Sequence, residues 1–153
     1  MQVIDESLIA DIIVEFFEPK IPPNLKFNNE PYLITTEFML GDMDIRISFD
    51  ELDDGYEMSF DTKDVHGIFS TGLKNVSNSS LRLFNYIIGI SIEFCKKYNT
   101  SKIVIHEPNY DYGKRLSLYK NILGRSEVKK AIGNLGYSVF VIQDKIELIR
   151  RGQ

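Results

Sequence analysis

The spacing of apolar residues predicts that the chain begins with a helix. Asp5 or Ser7 can cap its first turn, because their side-chain oxygens accept hydrogen bonds from free helix amides. Apolar residues then recur at helical spacing: Leu8, Ile9, Ile12, Ile13, Phe16 and Phe17. Pro19, Pro22 and Pro23 forbid continuation, so we predict an N-terminal helix within residues 1–18 and a loop over residues 19–30.

Three strand-like segments follow the loop: Tyr32–Leu40, Asp44–Asp50 and Tyr56–Asp61. In the second segment, Ile45, Ile47 and Phe49 alternate with polar residues, which predicts one buried and one wet face. The separators Gly41-Asp42 and Asp53-Asp54-Gly55 are typical of turns, because Gly and Asp tolerate a positive φ. Residues 31–71 therefore predict an antiparallel meander, extended by a short strand over Gly67–Ser70.

The segment Leu81–Tyr98 predicts the longest helix of the chain. Its apolar residues form two adjacent stripes, which is typical of a central, buried helix. Gly89 interrupts the middle of this helix at a cost of about 1 kcal/mol relative to alanine. We therefore expect a strand to pass close to the helix at that residue.

The remaining elements complete one mixed sheet. We predict a buried strand (Lys102–His106), helices over Tyr112–Leu123 and Ser126–Leu135, and a hairpin of Tyr137–Ile142 and Lys145–Arg150. Gly136 ends the last helix. The order predicts a single α+β domain over residues 1–153, with a mixed sheet, helices on its faces and a helix-strand-helix-hairpin core over residues 79–150. A right-handed crossover from Gly67 to His106 would place two parallel strands at the middle of the sheet.

Composition sets the broad class of protein. The 153 residues are 43% hydrophobic and 26% charged, as in ordinary soluble domains. Cys95 is the single cysteine of the chain, which excludes an intramolecular disulfide. The first residues are acidic and no apolar stretch approaches 18 residues, so we expect a cytoplasmic protein without a leader or membrane helix.

The charges divide unevenly between the two halves of the chain. Residues 1–64 carry 16 acidic and 4 basic side chains, a net −12, and residues 65–153 carry 6 acidic and 14 basic ones, a net +8. The acidic and the basic side chains can both lie on solvated surfaces, with the two halves of the chain attracting each other within one fold. Alternatively, the basic half receives an anionic ligand, either a phosphate-bearing cofactor or a nucleic acid. No aromatic residues interleave with the basic ones, and the acidic half would repel phosphate, so we expect no nucleic-acid partner.

The order of elements from Tyr32 to Arg150 resembles the GNAT superfamily of acyl-CoA-dependent N-acyltransferases. The late segment Lys114-Arg115-Leu116-Ser117-Leu118-Tyr119-Lys120, with Leu135-Gly136-Tyr137 downstream, is similar to the signature of that family. Phe69-Ser70-Thr71-Gly72, Ile92-Glu93-Phe94 and the stretch from Arg115 to Tyr119 are similar to acetyltransferase-like proteins of tailed bacteriophages. The resemblance covers roughly the last 120 residues, and the order of the short motifs carries it.

The resemblance implies a CoA pyrophosphate site at the start of the central helix, where backbone amides face the anion. The residues at this position are Gly72, Lys74, Ser77, Asn78, Ser79 and Arg82. Lys114 and Arg115 would contact the adenosine phosphate of acetyl-CoA. The family loop carries several glycines, whereas this loop offers Gly72 and short polar side chains. Helix capping by Ser77 or Asn78 is the alternative interpretation of the polar residues.

The resemblance also implies catalytic roles. Tyr119 matches the tyrosine that protonates the departing CoA thiolate, and a phenol with a pKa of about 10 suits that role. His106 or Glu107, at the end of a parallel strand, could take a proton from the amine. The alternatives are a packing role for Tyr119 and an ordinary polar role for His106. With two histidines and one cysteine, we expect no zinc site.

Two hypotheses follow for the function. The first is an acetyl-CoA-dependent N-acetyltransferase, or a degenerate relative, whose amine acceptor is unidentified. The second is a non-catalytic protein-interaction or virion-associated phage protein on the same fold, which would act in the host cytoplasm. Whether the chain forms a homodimer is left open.

Overall fold

The computed structural model describes residues 17–41, 43–63, 69–70, 78–106, 114–142 and 145–152. These residues form an α+β fold with a mixed, mostly antiparallel sheet. In chain order the elements are β1 (Asn28–Asn29), β2 (Ile34–Leu40), β3 (Met43–Leu52), β4 (Gly55–Lys63), β5 (Phe69–Ser70), α1 (Asn78–Tyr98), β6 (Lys102–His106), α2 (Lys114–Leu123), α3 (Ser126–Asn134), β7 (Tyr137–Ile142) and β8 (Lys145–Arg150). The predicted helix of residues 1–18 lies outside the described residues except for Phe17 and Glu18, which are not helical.

Seven strands follow one another in the sheet in the order β1-β2-β3-β4-β6-β8-β7, and β5 pairs with β4 outside this order. The meander of β2, β3 and β4 is antiparallel throughout, as predicted. β6 pairs antiparallel with β8, and β8 pairs with β7. The predicted hairpin is confirmed with its bounds, whereas β1 falls in a segment that was expected to be a loop.

The parallel strands at the middle of the sheet are β4 and β6, which corrects one prediction. We expected Gly67–Ser70 to be the partner that runs parallel to β6. Phe69 and Ser70 instead pair antiparallel with the end of β4. The crossover therefore starts from the longer β4, because a two-residue strand offers few hydrogen bonds to a central position of the sheet.

α1 is the centre of the hydrophobic core, as its two apolar stripes predict. Its buried side chains include Leu83, Phe84, Ile87, Ile88, Ile90, Phe94 and Cys95. The inward faces of the strands pack against it, and Phe94 stacks on Phe49 of β3 with ring centroids 3.8 Å apart. Side chains of α2 and α3, among them Tyr119, Ile122 and Val128, belong to the same cluster. The described elements therefore share one core.

Gly89 allows a loop segment, rather than a strand, to cross α1, so the expected strand contact is wrong. The Lys20 amide donates a hydrogen bond to the Asn85 carbonyl oxygen at 3.0 Å. A Cβ at residue 89 would lie 2.7 Å from the Lys20 carbonyl carbon and closer still to its oxygen. Residues 17–20, which we call the strap, can lie here because α1 has no side chain at this point.

Two other glycines permit the chain path for different reasons. Gly136 has a φ of +92° after α3, which confirms it as the residue that ends this helix. Gly55, at the start of β4, was predicted from turn chemistry alone. In the structure a Cβ there would meet the Lys102 backbone, so the residue permits β4 and β6 to approach each other.

Candidate functional site

The candidate site lies where the two central parallel strands stop pairing. Three residue pairs join β4 to β6, from Tyr56 and Ile103 to Met58 and Ile105. Beyond Met58, β4 continues to Lys63, and its end pairs with β5. No described residue pair joins β4 to β6 past this point. Ligands of mixed and parallel sheets bind at the carboxyl ends of such strands, where the neighbouring backbones separate.

The helix that follows β4 and β5 supplies a positive end. α1 begins at Asn78, and its first turn contains no acidic residue that would offset the helix dipole. The first amides of a helix have no partner within it, so they can bind an anion. The predicted residues Asn78, Ser79 and Arg82 lie in the first turns of α1. Gly72, Lys74 and Ser77 lie outside the described residues.

Tyr119 is held against the same part of α1. Its side chain is 2% exposed, and its ring centroid lies 5.2 Å from that of Phe84, which is six residues into the helix. The Tyr119 hydroxyl oxygen is buried as well. The structure therefore places the predicted acid next to the first half of α1, and it also gives this ring the packing role that the sequence left as the alternative.

His106 ends β6 at the edge of the sheet where the pairing with β4 has stopped. Its backbone is in register with Lys145, the first residue of β8. The residue is therefore the last one of a strand that pairs parallel with β4, as predicted, and its role at this end of the sheet stays a prediction. Glu107 lies outside the described residues. Lys114 and Arg115 occupy the first two positions of α2, more than a helical turn before Tyr119.

The turn at the opposite end of the central strands is acidic. The turn between β3 and β4 carries Asp53 and Asp54, beside Gly55 where β4 begins. Lys102, at the start of β6, donates a hydrogen bond to the Asp54 carboxylate at 3.0 Å and also lies 3.5 Å from a Glu147 oxygen. This ion pair joins the acidic half of the chain to the basic half, in agreement with the interpretation that the halves attract each other. The carboxyl ends of β4 and β6 are therefore separated from this acidic turn by the length of the paired strands.

These contacts shift two pKa values in opposite directions. The hydrogen bond with Asp54 raises the pKa of Lys102, and Glu147 adds to the effect. The same hydrogen bond with Lys102 lowers the pKa of Asp54. Both shifts favour the charged forms, so the pair stays ionised over the physiological range. Its place at the far end of the strands gives it a structural role.

The structure shows three buried hydroxyl groups to which the sequence assigned no role, one of them in the Leu135-Gly136-Tyr137 motif. The hydroxyl oxygens of Thr36, Ser91 and Tyr137 have no hydrogen-bond partner among the described residues. Burial raises the pKa of Tyr137, which lies near Cys95 on α1. The sequence pattern of a core residue is the same for phenylalanine and tyrosine, so no signal identifies this hydroxyl in advance.

Within the described ranges, no group of three or more His, Cys, Asp or Glu side chains is placed to hold a metal ion. None of the three helices described is long and apolar enough to cross a membrane. Comparisons of the chain with models of known families, with curated proteins and with solved structures give no match.

Proposed function

We propose that this protein is an acetyl-CoA-dependent N-acetyltransferase with a GNAT-like fold. The observation that carries the proposal is the sheet order, in which β4 and β6 run parallel at the middle and stop pairing after three residue pairs. Past Met58 and Ile105 no described residue pair joins the two strands, and the long helix α1 follows β5, the strand that pairs with the end of β4. The resemblance of the late helix and hairpin to the family supports the same assignment.

The N-terminus of α1 is the proposed place for the pyrophosphate of acetyl-CoA. Its amides and the absence of an acidic residue in its first turn suit an anion. Lys74 before the helix and Arg82 in its second turn would add positive charge, and Gly72, Ser77, Asn78 and Ser79 would complete the loop and helix start. Lys114 and Arg115 would approach the adenosine phosphate.

The proposed reaction transfers an acetyl group from sulfur to nitrogen. The amine nitrogen attacks the thioester carbonyl, the carbon–sulfur bond breaks, and the CoA thiolate takes a proton from the Tyr119 hydroxyl. His106 or Glu107 accepts the proton that the amine loses. The burial of Tyr119 against Phe84 restricts the position of its ring, which would keep the hydroxyl aimed at one place.

A second candidate function is a non-catalytic interaction protein on the same fold. The buried Tyr119 hydroxyl favours it, since a proton donor must reach the leaving thiolate. In this case the tyrosine serves the core, and a protein surface elsewhere carries the function. A phage-encoded protein of this kind would meet its partner in the host cytoplasm.

Titration of acetyl-CoA and of CoA into the purified protein, followed by calorimetry, tests the cofactor part of the proposal. We expect micromolar binding that weakens at least tenfold in a Lys74→Ala and Arg82→Ala double variant. A Lys129→Ala and Lys130→Ala double variant is the matched control, because it removes the same charge from exposed positions on α3. Absence of binding at about 1 mM CoA would overturn the proposal and favour the interaction protein.

Release of free CoA thiol in the presence of a panel of amines tests the catalytic part. Tyr119→Phe keeps the ring that packs on Phe84, so we expect a folded variant with unchanged CoA affinity and a turnover about 10²-fold lower. Unchanged turnover would remove Tyr119 from the mechanism. A partner that copurifies in stoichiometric amounts and binds Tyr119→Phe equally well would support the second candidate.

A further inference from the structure

β7 forms one edge of the sheet and has an unusual composition for that position. β8 pairs with it on one side, and no described strand pairs with it on the other. Its six residues contain no charged side chain and no proline. Exposed edge strands normally carry such residues, because they prevent pairing with other chains.

The side chains of this edge are apolar and exposed. Phe140 is 50% exposed, and Val141 and Ile142 are each 40% exposed. Leu135, which precedes the strand, is 49% exposed. Three of these apolar side chains are consecutive on β7, and Leu135 lies two residues before the strand begins.

The other edge of the sheet is built differently. β1 has two residues, Asn28 and Asn29, and Glu30 and Pro31 follow it directly. It covers only Ile34 and Thr35 of β2, and the rest of β2, which has no other described partner on that side, carries the charged residue Glu37. A strand this short, flanked by a charge and a proline, offers little backbone for pairing. β7 therefore differs from the opposite edge, because all six of its residues lack a charge and none is a proline.

We propose that β7 pairs antiparallel with β7 of a second copy of this chain. A two-fold axis perpendicular to the sheet brings identical strands together edge to edge and keeps matching faces on the same side. With the axis at Phe140, this residue lies opposite its own copy, Val139 lies opposite Val141, and the small Ser138 lies opposite the large Ile142. Directly opposite residues share a face in an antiparallel pair, so the alternation of β7 is preserved.

Charge favours a second copy over a different protein as the occupant. The six positions of β7 bring no like charges together when the strand meets itself, although each chain carries a net charge of −4. A partner recognised by charge would find no complementary group on this strand. Self-pairing also places Phe140, Val141 and Ile142 of each copy beside apolar or small side chains of the other copy.

The size of the contact sets its strength. A strand of six residues spans about 20 Å, and its edge is smaller than the roughly 800 Å² per partner of a standard stable interface. We therefore infer a reversible dimer with a dissociation constant in the micromolar range or weaker. Because the axis reverses the direction of the sheet, the carboxyl ends of the central strands would face opposite ends of the dimer.

Sedimentation velocity of the full chain, from about 1 µM to about 500 µM, tests the proposal. We expect monomers at the lowest concentration and a growing dimer fraction above it. Phe140→Glu and Phe140→Lys should each raise the dissociation constant at least tenfold, because each places two like charges opposite one another. An equimolar mixture of the two variants should restore association, since Glu then lies opposite Lys.

Met39→Glu is the matched control, because Met39 is 61% exposed on β2, away from the proposed interface. This variant should associate as the wild type does. Circular dichroism and thermal unfolding establish that all three variants are folded. A wild-type chain that stays monomeric at about 500 µM, or a dimer that both Phe140 variants leave intact, would overturn the proposal.

Discussion

Replacement of Gly89 by alanine should destabilise the protein, although alanine is the better helix former. Alanine in a helix interior gains about 1 kcal/mol over glycine. In this structure the added Cβ would lie 2.7 Å from the Lys20 carbonyl carbon and 2.8 Å from the Lys20 amide nitrogen. Carbon atoms in ordinary contact are about 3.5–4.0 Å apart, so the strap has to leave the helix.

The loss can be estimated from the contacts of the strap. Two hydrogen bonds would break, from the Lys20 amide to the Asn85 carbonyl oxygen at 3.0 Å and from the Glu18 amide to the Asn85 side-chain oxygen at 3.3 Å. Each contributes about 1 kcal/mol. Phe17 packs on Phe84 with ring centroids 5.7 Å apart, a contact that contributes about another 1 kcal/mol. After the helix gain is subtracted, the net loss is about 2 kcal/mol.

Urea unfolding followed by circular dichroism measures this difference, which corresponds to a fall in Tm of about 4–8 °C for a chain of this size. Gly133→Ala is the control, since a Cβ there would lie 3.6 Å from the nearest atom, the Arg151 Nη1, at an ordinary contact distance. It should be unchanged or stabilised by up to about 1 kcal/mol.

A double-mutant cycle identifies the strap as the cause. Asn85→Ala removes the side-chain acceptor of the Glu18 amide, so it should cost about 1 kcal/mol in the wild type. In the Gly89→Ala background the strap has already left the helix, and the same change should cost nothing. Equal or greater stability of Gly89→Ala relative to the wild type would refute the reasoning.

Three further predictions concern buried or paired polar groups. Tyr137→Phe should leave the free energy of unfolding unchanged or raise it by up to about 1 kcal/mol, because the hydroxyl has no partner among the described residues. A fall in the free energy of unfolding of more than about 1 kcal/mol, measured by urea unfolding, would contradict this. Burial raises the pKa of Cys95 to about 11, so a thiol reagent at about pH 8 should modify Cys95 in the unfolded protein but not in the native protein. Rapid modification of the native protein would contradict the burial of this thiol. Because the pKa of Asp54 is lowered in the folded state, its contribution to the free energy of unfolding is present above about pH 4 and is lost as the pH falls through the folded pKa. Because the pKa of Lys102 is raised, its contribution is present below about pH 10.4 and is lost as the pH rises through the folded pKa. The difference in urea midpoint between wild type and Asp54→Asn should therefore be constant from about pH 5 to pH 9 and shrink as the pH falls below about 4, and a difference that does not shrink there would exclude the ion pair as its source.

The elements of the described region were largely predictable. The alternation in β3 and the two stripes of α1 reflect which face of each element leaves water, and that preference is local. The chemistry of Gly136 also acts locally, because a positive φ depends on one residue and its neighbours. The hairpin of β7 and β8 was predicted with its bounds for the same reason.

The residues of the candidate site could be named from the sequence, but the contacts between them could not. The sequence placed Tyr119 in a late helix and Arg82 in the central one, and the contact of Tyr119 with Phe84 appeared only in the structure. Such contacts join side chains that are far apart in the chain, and no local pattern specifies them. The strand that pairs parallel with β6 was assigned wrongly for this reason, since the choice depends on competition among whole strands for a central position.

The sequence by itself determined the order and type of the described elements apart from β1, the buried face of the longer ones and the separation of acidic from basic charge. These properties depend on the polarity of each residue and on the short-range geometry of its backbone. The tertiary structure alone decided that the strap crosses α1 at Gly89, that β4 and β6 separate after three pairs, and that β7 has no strand on its outer side among the described residues. These features arise from the way distant segments share one core, where each contact excludes others.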